Sequence, residues 1–316
     1  MRNAAPFIEE CLLSIVKQTY TNYELLIADD HSTDQSAHLV QGFLSSKSIR
    51  LIKNKGKGIV PALQTAYQQS RGEIITRMDA DDIMPSQKLE WMVHKLLIHE
   101  KGHVVTGLVK YFRQGEIGLG YRRYAHWLNN ITRSKSNFQE IYKECVIPSP
   151  CWMMFREDFD RMGGFEGETY PEDYDLAFRM YKYGMKVMPV RKVCHLWRDH
   201  SSRASRNDPN YADNNFLDIK LNYFLELDYK KEKPLLVWGA GKKGKYVAMS
   251  LKKRNIPFKW LSENGNKIGK SIYGIEVHRP NPAEWSEAQI IVLVANEKEQ
   301  LDIRLRIAEA DSFYFC

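Results

Sequence analysis

Several absences bound what this chain can be. It has no run of about 18 apolar residues, the length a spanning helix requires, and its first residues lack the basic-then-apolar pattern of a secretory signal. Its cysteines, Cys11, Cys145, Cys151, Cys194 and Cys316, form an odd, scattered set without C-x-x-C spacing, which argues against a disulfide framework and a zinc site. There is no internal repeat, no low-complexity tract and no nucleic-acid-binding motif, so no nucleic-acid partner is expected. The cytoplasm is the expected compartment. What remains is 316 residues with 43% hydrophobic content, enough for two domains that each bury a core. The net charge is +7, with cations clustered at 53–57, 122–123, 230–233, 242–245 and 252–254. Such positive surface attracts anions without identifying them: phosphorylated substrates or an anionic membrane face fit, and most of these lysines read as solvated helix faces.

Apolar and turn-forming residues divide the chain into alternating elements. Phe7, Ile8, Cys11, Leu12, Ile15 and Val16 fall at helical spacing, and 24–28 reads as a buried strand. A helix over 36–44, a strand over 49–52, a helix over 61–69 and a strand over 73–78 follow. This alternation predicts a parallel sheet with helices on both faces and ligands at the carboxyl ends of its strands. Pro85 opens an amphipathic helix carrying Leu89, Met92, Val93, Leu96 and Leu97. Further on, the pattern predicts strands at 104–109, 151–155 and 185–190, and helices at 137–145, 172–183 and 213–227. The polar run 201–211 reads as loop. A fresh strand at 235–238 marks a second domain, giving 1–230 and 231–316.

The most informative motif is Asp79-Ala80-Asp81-Asp82, three acids in four residues at the end of a predicted strand. Carboxylate oxygens suit hard divalent cations, Mn²⁺ or Mg²⁺, and a strand-end turn can direct them at an ion that also holds a diphosphate. An isolated D-x-D is more often a solvated acidic turn; here Asp29-Asp30 lies at another strand end, and Glu172-Asp173 opens a helix.

Taken in order, several segments resemble the family 2 glycosyltransferases of the GT-A fold, bacterial surface-polysaccharide type. They are residues 10–20 (ECLLSIVKQTY), 29–34 (DDHSTD), Gly72-Glu73 before 78–82 (MDADD), Gly163-Gly164-Phe165, 172–176 (EDYDL) with Arg179, and 197–200 (WRDH) with Ser205. The resemblance covers most of 3–206. It implies that Asp81 and Asp82 hold a divalent ion through the donor diphosphate, with Asp79 nearer the sugar or ribose. It implies that Asp30 accepts a hydrogen bond from a uracil ring, and that Glu172, Arg198 and His200 belong to the donor site. Asp173 is the expected general base, taking the proton of an acceptor hydroxyl as it attacks the anomeric carbon in a single inverting displacement. The helix dipole alone would also favour acids at 172–173, and Ser32-Thr33-Asp34 is a good N-cap sequence in its own right. Lys53, Lys55 and Lys57 could reach phosphates or be solvated loop, and His195 reads as structural.

Two departures from that family stand out. Its usual opening strand is missing, since the chain starts at Met1-Arg2-Asn3, already past it. A central parallel strand is costly to omit, so the native start is expected upstream, with Met1 internal. The second departure is an addition. Gly239-Ala240-Gly241-Lys242-Lys243-Gly244 satisfies G-x-G-x-x-G directly after a strand and before a helix, as in a small Rossmann-like βαβ domain. Gly239, Gly241 and Gly244 could mark a second nucleotide site, with Glu263 where a ribose-binding acid belongs, or the domain could serve a structural or docking role; its size suits one nucleotide or none.

The expected activity is metal-dependent transfer from a UDP-sugar to a saccharide or lipid-linked acceptor in cell-surface polysaccharide synthesis, at the inner face of the plasma membrane through peripheral contact. The alternatives are a catalytically silent nucleotide-binding scaffold, and a bifunctional chain whose C-terminal domain binds NAD.

Overall fold

The computed structural model describes residues 1–44, 48–113, 115–165, 167, 169–203, 206 and 216–316. They fall into two compact units, unit 1 comprising Met1–Phe138 and Cys145–Asn207, and unit 2 comprising Gln139–Glu144 and Asp208–Cys316. Ser205 and most of the 201–211 run lie outside the described residues. No described helix is long and apolar enough to cross a membrane.

Unit 1 begins with α1 (Ile8–Val16), which buries Ile8, Cys11, Leu12 and Ile15, the stripe expected of a half-buried helix. β1 (Leu25–Asp29) pairs in parallel with β2 (Ile49–Lys53) as a two-stranded sheet, with α2 (Ser36–Gln41) and α3 (Ile59–Tyr67) between and after them. β3 (Ile74–Thr76) is shorter than expected and belongs to a four-stranded sheet in the order β3-β5-β4-β6. β4 (His103–Phe112) runs parallel to β6 (Lys186–Arg198), while β5 (Trp152–Phe155) is antiparallel to both β3 and β4. The sheet is therefore mixed. Residues 104–109 of β4 are all buried, as expected for a strand covered on both faces. Opposite them, the register with β6 shifts around Gly107 and Leu108. A Cβ on Gly107 would sit 2.5 Å from the Cβ of Cys194, so only glycine fits there.

Helices cover these strands. α4 (Lys88–Leu97) buries Leu89, Met92, Val93 and Leu96. α5 (Leu119–Ser134) occupies a stretch that carried no predicted helix. The expected helix over 137–145 is instead one 3-10 turn, Asn137–Glu140. α6 (Arg156–Arg161) and α7 (Glu172–Lys182) complete the unit, and α7 buries Tyr174, Leu176, Ala177, Phe178 and Met180.

Unit 2 contains α8 (Phe216–Leu227), β7 (Leu235–Trp238), α9 (Lys242–Lys253), β8 (Lys259–Leu261), the hairpin strands β9 (Ser271–Ile272) and β10 (Ile275–His278), β11 (Gln289–Val292), α10 (Glu297–Arg306) and β12 (Asp311–Tyr314). Its sheet runs β12-β11-β7-β8-β10-β9, parallel throughout except for the β9–β10 pair. The expected boundary near 230 thus falls earlier in the structure, because α8 packs with unit 2. Phe224 meets Phe313 at a ring separation of 4.8 Å, and Tyr142 stacks on Phe315 at 5.3 Å. Leu236, Trp238, Leu261, Ile290, Val292 and Ile303 pack together as the unit's hydrophobic core.

Candidate functional site

The acidic turn follows β3 directly, and its three carboxylates have three different environments. Asp82 is turned inward and 2% exposed. Its Oδ1 accepts from the Arg198 backbone N–H at 2.7 Å, and its Oδ2 lies 2.8 Å from His195 Nε2. Burial, then the charge of Asp79, push the Asp82 carboxyl up to about 7. Burial and the Lys88 cation hold the His195 imidazole well below its ordinary value. Both groups are driven toward their neutral forms, as desolvation requires. Lys88 is itself buried, its ammonium donating to the Pro150 carbonyl at 2.7 Å.

Asp81 is more open. Its Oδ2 lies 2.8 Å from His200 Nε2, and its side chain is 29% exposed. Burial and the neighbouring charges of Asp82 and Asp79 raise its pKa, the mark of a carboxylate cluster short of positive charge. Asp79 has that charge: against a burial that would raise it, the Arg77 guanidinium holds its carboxyl below the usual range.

Arg77 ties the turn to α7. The buried guanidinium donates to Asp79 Oδ1 at 2.8 Å and to Glu172 Oε1 at 3.0 Å. Next along α7, Asp173 Oδ1 accepts from the Tyr174 N–H at 2.8 Å. Burial and the Glu172 charge push the Asp173 carboxyl up to about 7. Glu172 Oε2 is buried without a hydrogen-bond partner among the described residues, an acceptor that a ligand hydroxyl would satisfy. Sequence reasoning missed Arg77. An arginine two residues before the acidic motif, just past a short apolar strand, is the signal that could have found it.

Arg198 and His200 lie at the end of β6, beside the turn. The Arg198 Nε–H donates to the Asp81 carbonyl at 2.7 Å, its Nη2 reaches Glu10 at 2.5 Å, and the guanidinium lies 4.6 Å from the Phe112 ring centre. With these partners it clamps the turn. The His200 ring lies 4.4 Å from that of Phe7, tilted by 37°. Arg203 sits over Tyr111 at 5.3 Å and over Trp197 at 5.7 Å, adding a cation to an aromatic wall.

Asp30 stands at the end of β1. Its carboxylate accepts from Asn54 Nδ2 at 2.7 Å and from the Gly58 N–H at 3.0 Å, with Arg2 3.9 Å away. A carboxylate can accept about four hydrogen bonds, so capacity for a ligand N–H remains. Asp34 Oδ1 accepts from the Ser36 N–H at 2.9 Å, at the start of α2. Lys53 ends β2 and is exposed.

Among the described residues no three His, Cys, Asp or Glu side chains converge as a ready metal cage. A cation bound by one or two carboxylates and completed by substrate phosphates needs no such cage. Asp81, open and raised by its neighbours, with the His200 imidazole beside it, fits that partial donor set.

In unit 2, Gly239, Gly241 and Glu263 line one cavity of about 500 Å³. Gly244 packs beneath it: a Cβ there would meet the Gly239 carbonyl oxygen at 1.9 Å.

The glycosyl transferase family 2 model matches residues 1–163. The Escherichia coli UDP-Glc:alpha-D-GlcNAc-diphosphoundecaprenol beta-1,3-glucosyltransferase WfgD is 38% identical over 152 residues, 46% of this chain and 53% of its own. The chain thus spans about half the length of that relative. The putative glycosyltransferase EpsE of Bacillus subtilis is 32% identical over 220 residues, 67% of this chain and 76% of its own. Among solved structures, S. aureus TarS 1–349 in complex with UDP-GlcNAc superposes with a TM-score of 0.56 at 16% identity, covering 73% of this chain and 66% of that one. That likeness concerns the fold, which is GT-A. By its family match, its relatives and this fold, the chain belongs to glycosyl transferase family 2.

Proposed function

We propose that unit 1 transfers a sugar from a UDP-sugar to a hydroxyl of a saccharide or lipid-linked acceptor, with inversion at the anomeric carbon, in cell-surface polysaccharide synthesis. The observation that carries this reading is the Arg77 bridge, which holds the acidic turn of Asp79 and the Glu172-Asp173 start of α7 against one cation. In this reading the acidic turn is the donor-diphosphate site and Asp173, at the start of α7, is the base.

In this reading Asp173 accepts the acceptor's hydroxyl proton as the oxygen bonds to the anomeric carbon, while the bond from that carbon to the diphosphate oxygen breaks. A carboxyl near 7 is matched to proton transfer at neutral pH. The attack and departure occur on opposite faces, hence inversion. Glu172 Oε2 takes a sugar hydroxyl, and Asp30 takes the uracil N–H. Asp81 with His200 would hold Mn²⁺ or Mg²⁺, and Asp79 lies on the sugar or ribose side; the bound cation would neutralise charge developing on the leaving diphosphate. Asp82 and Arg198 fix the turn from behind.

The uridine donor and the acceptor class lean on the relatives. WfgD is named for transfer from UDP-Glc to a GlcNAc-diphosphoundecaprenol, and TarS is seen with UDP-GlcNAc. The test is UDP release from UDP-Glc and UDP-GlcNAc with Mn²⁺, comparing the native chain with Asp173→Asn, and proton NMR of any product for anomeric configuration. Turnover lost in the variant and an inverted product support the reading; turnover unchanged in Asp173→Asn, or a retained configuration, refutes it.

A further inference from the structure

The sheet of unit 2 reverses its winding at β7: β8 and β10 lie to one side, β11 and β12 to the other. Such a reversal leaves a crevice at the carboxyl ends of the two central strands, where open α/β sheets receive ligands. The cavity of about 500 Å³ opens at this place, between the 239–241 turn after β7 and residues 293–295 after β11. Its volume lies within the range of small-molecule sites.

Each of the three glycines has a separate reason. Gly239 has φ +126° and a Cβ there would approach the Leu293 carbonyl oxygen to 2.8 Å, while Gly244 lets α9 press onto the turn. Packing accounts for both. Gly241 has an ordinary φ of −77°, and a Cβ on it would meet nothing within 4 Å. Neither strain nor packing requires glycine there; the open space does something else. It lies at the N-cap of the twelve-residue α9, which has no side-chain cap. The first-turn amides of such a helix favour an anion.

The walls carry the remaining chemistry. Lys243 and Lys267 line the cavity, and the Lys267 ammonium donates to the Ala240 carbonyl at 2.6 Å, which fixes that cation beside the turn. Ser262, 5% exposed, accepts from the Asn264 N–H at 3.2 Å and keeps its hydroxyl proton for a ligand acceptor. Glu263, one residue further from the end of β8, is ion-paired to Arg306, whose guanidinium lies 5.1 Å from the Trp238 ring centre. Glu299 adds a second carboxylate to the wall and disfavours phosphate on its side. The anion end is therefore the glycine turn, and the acid on β8 is placed for ribose hydroxyls.

We propose that this cavity binds a nucleoside diphosphate, its phosphates on the Gly241–Gly244 turn between Lys243 and Lys267 and its ribose toward Glu263, independently of the metal-dependent site of unit 1.

Hydrogen exchange of the full chain, read by mass spectrometry with ADP, UDP or GDP in turn and without divalent metal, tests this. At least one of the three is expected to slow exchange in peptides covering 239–245 and 262–267, by about tenfold at ten times its Kd. Asp81→Ala should leave that protection intact, which separates this site from the donor site. Gly241→Glu fills the open space with a negative charge and should abolish it, and Lys243→Ala, which leaves the turn unaltered, should weaken binding severalfold. No protection by any of the three nucleotides, or protection in Gly241→Glu and Lys243→Ala equal to that of the native chain, would overturn the proposal.

Discussion

Asp81 Oδ2 lies 2.8 Å from His200 Nε2 at the open side of the acidic turn, whereas the adjacent Asp82 has both oxygens committed inside the protein. Two carboxylates that are neighbours in sequence are therefore set to different tasks. Asp82→Ala leaves His195 and the Arg198 amide without their hydrogen-bond partner and should cost about 2 kcal/mol of stability. Asp81→Ala relieves like-charge repulsion and should stay within about 0.5 kcal/mol of the native chain or exceed it. Urea unfolding distinguishes them, and equal losses in the two variants would contradict the assignment.

One guanidinium, that of Arg77, bridges Asp79 and Glu172. Arg77→Met removes it and leaves both carboxylates in a poorly solvated site, which should destabilise by about 3–5 kcal/mol. Adding Glu172→Gln should recover part of that loss, since one stranded charge disappears. A double-mutant cycle in urea measures the coupling, and strict additivity would count against the bridge.

Asp173 is pushed up to about 7 from an ordinary 3.8. Its proton-accepting form grows as pH rises, so kcat/KM should climb through about pH 7 and then level. Stability moves the other way. The folded state prefers the protonated acid, so this group's contribution is fullest below 3.8 and is lost as pH rises toward 7. Asp173→Asn should accordingly raise Tm at pH 8 while lowering kcat by about 10²-fold or more. A pH profile of rate and Tm on both proteins checks the pair of signs.

Much of this was legible in the residues. The stripe Ile8, Cys11, Leu12, Ile15 and the continuous apolar run of β4 follow from burial of one face or two, and they appear as expected. α5 was not legible. Tyr121, Tyr124, Leu128 and Ile131 do fall at helical spacing, but Arg122, Arg123 and His126 between them and two glycines at the start hide that pattern, and only Leu128, Ile131 and Thr132 are buried. The antiparallel course of β5 was equally hidden, because strand direction depends on long-range pairing that local pattern does not encode. In the site, the acids announced themselves by spacing. The inward turn of Asp82 did not, since it depends on His195 and Arg198, more than a hundred residues away.

Gly244→Ala drives a methyl group into the Gly239 carbonyl, backbone that cannot yield cheaply, and should destabilise unit 2 by about 3 kcal/mol or prevent its folding. Gly241→Ala, with open space around the new atom, should be within about 0.5 kcal/mol of neutral. Thermal melts followed by tryptophan fluorescence would show the contrast, with Trp238 and Trp260 reporting on this unit.

The most direct test is a calorimetric titration of UDP into the full chain with and without Mn²⁺, repeated on Asp81→Ala and Gly241→Glu. Mn²⁺-dependent UDP binding that disappears in Asp81→Ala and persists in Gly241→Glu is the predicted result. In the Gly241→Glu background, where the unit 2 cavity is closed, UDP binding indifferent to both Mn²⁺ and Asp81→Ala would contradict the assignment of the acidic turn as the donor site.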